Sequence, residues 1–205
     1  MNKPHLRLWL LRHARPQVEP GVCYGASDVP TDTAHAQRIA HDFVQALHAQ
    51  GACPIGVWMS ERQRTQTLAQ RVLQNGADCG WSVTAAQVDP RLNEYDFGSW
   101  EGQRWRDIAQ ADYDTWVNDF AHHRFGGRDS TGELVARVHA ALQDLGQLDG
   151  GDVVWVTHAG VIRAVNWLQQ HAPDRRVPVP IDRLRADQWP MHAPDYGQWQ
   201  CIDIL

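Results

Sequence analysis

Two short apolar runs, each closed by a histidine, constrain this chain more than any other feature. Leu6–Leu11 (LRLWLL) stops at Arg12-His13, and Val153–Val156 (VVWV) stops at Thr157-His158. Such runs, bounded by polar residues, suit buried strands. Between them the pattern alternates. Ala34, Ile39, Phe43, Ala46 and Leu47 recur at helical spacing from Thr33 to about Gln50, and Gly51 stops that helix. Ile55–Met59 is a second strand, with Ser60 as N-cap of a helix to about Gln74 that Asn75-Gly76 ends. Trp81–Val88 is expected as a third strand. Ser130 opens a helix through Leu134, Val138, Leu142 and Leu145, and another helix follows His158 to about Gln170. The tail is Pro-rich, with Trp199–Leu205 as an edge strand. Strands alternating with helices over short connections predict an α/β domain with a mostly parallel sheet.

The exception is Arg91–Asp129, a polar and aromatic excursion with room for two short helices at most. Excursions of that length in a compact domain are usually functional, and this one sits where a lid would. A chain of 205 residues supports one full core. The reading is therefore a single domain over residues 1–205 with a lid-like excursion at about 91–129.

Charge narrows the partners. Nineteen Lys and Arg against 24 Asp and Glu give a formal charge of -5, which leaves no basic footprint for nucleic acid but permits a local positive pocket. No apolar stretch reaches membrane-spanning length. The first apolar run is broken by Arg7 and lacks a small-residue cleavage site, so no signal peptide is expected. Four cysteines without a CxxC pair read as reduced thiols. The expectation is a cytoplasmic protein that binds neither nucleic acid nor membrane.

In an open parallel sheet, ligands bind beyond the carboxyl ends of the strands, which is where His13 and His158 fall. Arg12 and Arg15 flank the first histidine. Arg62 and Arg64 open a helix that follows a strand, so its free N–H groups add a positive dipole end. Two histidines, several arginines and helix N-termini suit a phosphate dianion. Alone, each residue reads blandly: a strand-end histidine is usually structural and a single arginine is usually solvated. The coincidence at two strand ends raises the functional reading. Other constellations fail. There is no GxxxxGK[ST] and no HExxH, the adjacent His122-His123 cannot share a helix face, and Ser99 lies outside any GxSxG. Asp28, Asp32, Asp112 and Asp114 scatter without calcium-loop order. The cluster Trp100, Trp105, Tyr113 and Trp116 reads as a packed patch, with a wall for the organic part of a substrate as the functional alternative.

Four segments, Leu11-Arg12-His13-Ala14-Arg15, Ser60-Glu61-Arg62-Gln63-Arg64, Arg91 to Gly102 (RLNEYDFGSWEG) and Thr157-His158-Ala159-Gly160, resemble the histidine phosphatase (phosphoglycerate mutase-like) superfamily and stand in its order. Asp129-Ser130, seven residues before Arg137, is similar to the family's Glu-Ser helix start. The loop Tyr24-Gly25-Ala26-Ser27-Asp28-Val29-Pro30 resembles the small-phosphatase branch that includes the α-ribazole phosphatases of cobalamin synthesis. The resemblance implies a three-layer α/β sandwich and a phosphomonoesterase that needs neither metal nor other cofactor. Its implied partner is a small-molecule phosphomonoester.

The resemblance also implies roles. His13 is the nucleophile that becomes phosphohistidine; Arg12 and Arg64 grip the phosphoryl oxygens, to which a planar guanidinium is matched. His158 donates to the same oxygens, and Glu94 protonates the leaving alkoxide and later takes a proton from water. Tyr24 and Ala159 join Arg12 and Arg64 as expected substrate contacts, and Arg15, to which the resemblance assigns no role, is read as a further one. Arg64 is matched by its offset from Ser60, with Arg62 beside it as the alternative. Ala14 replaces the family's usual glycine, and Glu19 replaces the asparagine of the mutases. A phosphoglycerate mutase-like phosphotransferase and a non-catalytic binder of phosphorylated ligands are the competing readings. The lost asparagine argues against the first, and retention of His13, Arg12, Glu94 and His158 together argues against the second.

Overall fold

The computed structural model describes residues 5–204. Five strands form one sheet in the order β3-β2-β4-β1-β5: β1 (Leu6–Arg12), β2 (Pro54–Met59), β3 (Gln87–Val88), β4 (Gly151–Thr157) and β5 (Trp199–Ile204). All neighbours pair in parallel except β5, which lies antiparallel to β1. Side chains alternate across the strands, as the pleat requires. Trp9, Leu11, Val57, Met59, Val154 and Val156 face one layer, in which α1 (Thr33–Ala49) packs on α2 (Gln63–Asp78). Leu8, Leu10, Val153 and Trp155 face the other, built on α4 (Thr131–Leu145) and α5 (Ala159–His171). The result is the expected three-layer α/β arrangement with a mostly parallel sheet. No described helix is long and apolar enough to cross a membrane.

The sheet order places the two histidines together. β1 and β4 are adjacent and pair Arg12 with Thr157, so the residues that follow them emerge side by side. The His13 amide donates to the Thr157 carbonyl at 2.9 Å, which locks the strand ends at one level.

Three local expectations are corrected. Ser60 does not cap α2: the N-cap is Arg62, and the Ser60 hydroxyl is instead drawn inward to His158 and Thr65. Asn75-Gly76 does not end α2, which runs on to Asp78. Gly76 is there for close approach, since a Cβ on it would stand 2.3 Å from the Trp81 ring. That contact also explains the third correction. Trp81 folds back to cover α2, and only Gln87–Val88 of the expected strand pairs with the sheet. Leu205, the expected end of the last strand, lies outside the described residues. The excursion holds one α-helix, α3 (Gln110–Asn118), among short 3-10 turns. Its aromatic residues Trp100, Phe120 and Phe125 join the α4/α5 core.

Helix α4 matters to the site because it carries Arg137, whose position depends on where the helix begins. A capping box sets that start: the Ser130 hydroxyl accepts from the Glu133 amide while the Glu133 carboxylate accepts from the Ser130 amide. Ser130→Ala should cost about 1 kcal/mol, a fall in Tm of roughly 2–4 °C in thermal denaturation for a chain of this size. An unchanged Tm would show that the cap carries no weight.

Candidate active site

His13 is 2% exposed, and its Nδ1 lies 2.7 Å from the Ala14 carbonyl oxygen. A carbonyl only accepts, so Nδ1 carries the proton and Nε2 keeps its lone pair. Burial, then the nearby Arg64 charge and more weakly that of Arg12, push the His13 pKa well below that of free imidazole, against the contrary pull of the Ala14 bond. The ring is neutral, in one tautomer, with Nε2 unprotonated. Ala14 itself is fully buried against the α1/α2 layer, where its methyl is accommodated.

His158 stands beside it, ring centroids 5.1 Å apart. Its Nδ1 faces the Nε–H of Arg64 at 3.3 Å and its Nε2 the Ser60 hydroxyl at 2.8 Å. A guanidinium only donates, so Nδ1 of His158 accepts and Nε2 bears the proton. This histidine is held neutral as well, first by burial and then by Arg64. Arg64, with no exposed surface, donates onward to the carbonyls of Ser27 at 2.7 Å and Gly25 at 2.6 Å. Two of its five N–H groups remain uncommitted. The loop it holds is gripped from the other side by Glu101. That carboxylate accepts from the amides of Ala26 and Ser27 at 2.7 Å and Phe97 at 3.1 Å, and from the Ser27 hydroxyl. Burial alone would raise the Glu101 pKa; these hydrogen bonds overcome it and hold the group below its ordinary range.

Glu94 arrives from the excursion. Its backbone is fastened by Arg137, which donates to the carbonyls of Asn93 at 2.5 Å, Arg91 at 3.0 Å and Glu94 at 3.3 Å. Its carboxylate accepts from the Gly160 amide in the first turn of α5 at 3.1 Å and from the Tyr95 amide at 3.2 Å. Gly160 leaves no room for a side chain, since a Cβ there would stand 2.1 Å from Oε1 of Glu94.

These groups surround a cavity of about 810 Å³. Arg12, His13, Arg15, Tyr24, Glu94 and Ala159 line it directly. His158 and Arg64 lie behind the wall, in contact with His13 and with each other, and Arg62 is half-buried off the cavity. Beyond the polar end the walls are apolar: Phe97, Trp105, Trp116 and Phe120 from the excursion, and Trp189, Pro190 and Met191 from the tail. Part of the tryptophan cluster thus serves as core (Trp100) and part as wall (Trp105, Trp116). Sequence reasoning missed Arg163 and Tyr196, which also line the cavity. Arg163 was within reach, one helical turn after Ala159 on the same face. Tyr196 carries no such signal, because its place depends on how the Pro-rich tail returns over β1.

The model of the histidine phosphatase superfamily (branch 1) matches residues 8–179, most of the chain. The chain belongs to that superfamily. An Escherichia coli adenosylcobalamin/α-ribazole phosphatase is 29% identical over 97% of this chain and 90% of its own length. The crystal structure of an α-ribazole phosphatase from Shigella flexneri superposes with a TM-score of 0.70 at 25% identity, covering 97% of this chain and 90% of that one. A mycobacterial glucosyl-3-phosphoglycerate phosphatase shares the fold, with a TM-score of 0.71 at 20% identity over 96% of this chain and 89% of its own.

Two outcomes follow from the geometry of this histidine phosphatase. His13 and His158 stay neutral in the folded protein, while in the unfolded chain they gain protons below a pH of about 6.5. The unfolded state then binds more protons, so stability is full above that pH and declines as pH falls below it. Melting curves should show a lower Tm at pH 5 than at pH 7.5, with the gap narrowed in His158→Gln; a gap unaffected by that variant would contradict the assignment. Gly160→Ala should displace the Glu94 carboxylate and lower kcat by about 100-fold, the usual cost of misplacing a reacting group by an ångström. Steady-state kinetics on a phosphomonoester would reveal it, and an unchanged kcat would mean that Glu94 takes no part.

Proposed function

We propose that this phosphatase hydrolyses phosphomonoesters through a phosphohistidine on His13, and that its substrate is α-ribazole 5′-phosphate, in the cytoplasmic step of cobalamin synthesis that removes that phosphate. The observation that carries the reading is the tautomer of His13: with Nδ1–H committed to Ala14, the bare Nε2 shares a cavity with Arg12 and Glu94.

In the first half-reaction the Nε2 lone pair forms a bond to phosphorus while the P–O ester bond breaks. The departing oxygen takes the bonding pair and a proton from Glu94. In the second, water attacks the phosphohistidine, the N–P bond breaks, and its electron pair returns to Nε2. Glu94, now a carboxylate, accepts the proton from water. Glu94 must therefore be protonated when substrate binds. Arg12 grips the phosphoryl oxygens from the cavity wall. Arg64 places its charge behind His13 as charge grows in the transition state, and His158, neutral and committed to Ser60 and Arg64, holds that guanidinium in place. None of these steps calls on a metal or another cofactor.

The substrate assignment draws on the names of the relatives and on the cavity. Its volume and aromatic walls suit a ribosylated aromatic base, with the excursion at 91–129 serving as the lid and Arg15, Tyr24 and Ala159 as further contacts.

Inorganic phosphate release should be measured from α-ribazole 5′-phosphate, 3-phosphoglycerate and p-nitrophenyl phosphate, with wild type beside His13→Ala and Glu94→Gln. The expected result is fastest release from α-ribazole 5′-phosphate and loss of turnover in His13→Ala. Glu94→Gln should slow the alkyl esters by about 100- to 10,000-fold but spare p-nitrophenyl phosphate, whose leaving group departs without a proton. Full activity in His13→Ala would end the mechanism. Isomerisation of 3-phosphoglycerate without phosphate release would favour a mutase, and no reaction with any ester would favour a binding protein.

A further inference from the structure

The first histidine's neighbour, Arg12, is held in an unusual way. Its Nη1 donates to the carbonyl of Pro194 at 2.9 Å, and its guanidinium lies over the ring of Tyr196, 4.1 Å from the centroid. Both partners come from the tail, more than 180 residues along the chain. The opposite edge is bare. Nε is buried without an acceptor, and Nη2 has none among the described residues. The Nε–Nη2 edge is one of those through which a guanidinium takes two oxygens of a phosphoryl group at once. A buried N–H without an acceptor is unfavourable, so this edge awaits an oxygen that the protein itself does not supply.

The Tyr196 ring is itself fixed. Its hydroxyl lies 2.6 Å from the hydroxyl of Tyr24. The amide of the next residue, Gly197, donates to the carbonyls of Arg12 and His13, both at 3.2 Å. The ring centroid is 5.5 Å from that of His13. The tail is therefore pinned to the end of β1 by backbone bonds and to the 16–30 loop by the tyrosine pair, with the Arg12 guanidinium clamped between ring and carbonyl. Desolvation, then the Tyr196 bond, raise the Tyr24 pKa, so the Tyr24 hydroxyl stays neutral.

We propose that Tyr196, with the Pro194 carbonyl, is the positioning residue of this active site. It fixes the plane of Arg12 so that the Nε–Nη2 edge faces the phosphoryl group that His13 attacks. The tail thereby completes the phosphate site, an inference that rests on the phosphatase reading above. Tyr196 acts through Arg12, so its removal should matter only while the arginine is present.

The test is a double-mutant cycle in the full chain, read with p-nitrophenyl phosphate as substrate and orthovanadate as a phosphoryl-site probe. Orthovanadate binding is followed both as inhibition and as a rise in Tm, so one readout needs no turnover. Tyr196→Leu should weaken orthovanadate binding and lower kcat/KM by about tenfold, in keeping with loss of a desolvated cation–π contact. Tyr196→Phe, which keeps the ring, should stay within about threefold of wild type on the same grounds. In the Arg12→Lys background, Tyr196→Leu should add less than about twofold, because coupled residues are not additive. Should the leucine variant fail to fold, Tyr196→Met fills the same space without an aromatic face and serves in its place. Losses that multiply in the two backgrounds would overturn the proposal, as would a phenylalanine variant as impaired as the leucine one. Absence of His13-dependent turnover in wild type would instead sink the phosphatase reading, and orthovanadate binding would still report on the clamp.

Discussion

Arg64 carries a full positive charge with no surface in contact with solvent, and most of the site is arranged around that fact. A buried cation is tolerated only when its donors are matched by acceptors. The acceptors are the Gly25 and Ser27 carbonyls and the His158 ring nitrogen. Meeting that demand draws the loop after β1, the start of α2 and the end of β4 to one point. Glu101 closes the arrangement from outside, since its carboxylate accepts from the amides of the same loop whose carbonyls Arg64 holds. The same charge then acts on chemistry, because it is among the causes that keep both histidines neutral.

The side chains of the site come from parts of the chain with different mechanical characters. His13 and His158 sit at the ends of adjacent buried strands and inherit the rigidity of the sheet. Glu94 sits on an irregular segment and has no such support, so it is held by other means: Arg137 across three backbone carbonyls and the Gly160 amide on its carboxylate. Arg12 belongs to a strand at its Cα but takes its side-chain orientation from the tail. His13, Glu94 and Arg12 are thus held by a sheet, a helix pair and a returning segment respectively. A site on irregular segments needs such supports because loops alone do not hold reacting atoms to a fraction of an ångström.

The alternation of short apolar runs with helical periodicity was enough to read the sheet-and-helix order, because a strand buried on both faces and a helix buried on one carry distinct periods. The strand-end histidines were legible for the same reason, since parallel sheets present their carboxyl ends to ligands. Local punctuation was less reliable. Ser60 looked like a helix cap and Gly76 like a helix stop, but the first serves His158 and the second admits Trp81, demands that come from residues far away in the chain. A serine or glycine reads the same in sequence whether its partner is the next turn or another element.

The sequence by itself determined which groups are present and in what order: two histidines after buried strands, arginines beside them, and Glu94 in a segment too long to be a simple connection. Those properties are local, set by hydrophobic period and residue chemistry. Tertiary structure alone decided how each group is used. Which nitrogen of His13 bears the proton depends on a carbonyl placed by the backbone path, and whether Arg64 faces the cavity or the loop depends on which carbonyls the fold brings to it. That Tyr196 lies against Arg12 depends on the tail crossing β1 as an antiparallel edge. Hydrogen bonds and ring contacts act over a few ångströms, so their partners exist only once the chain has closed on itself.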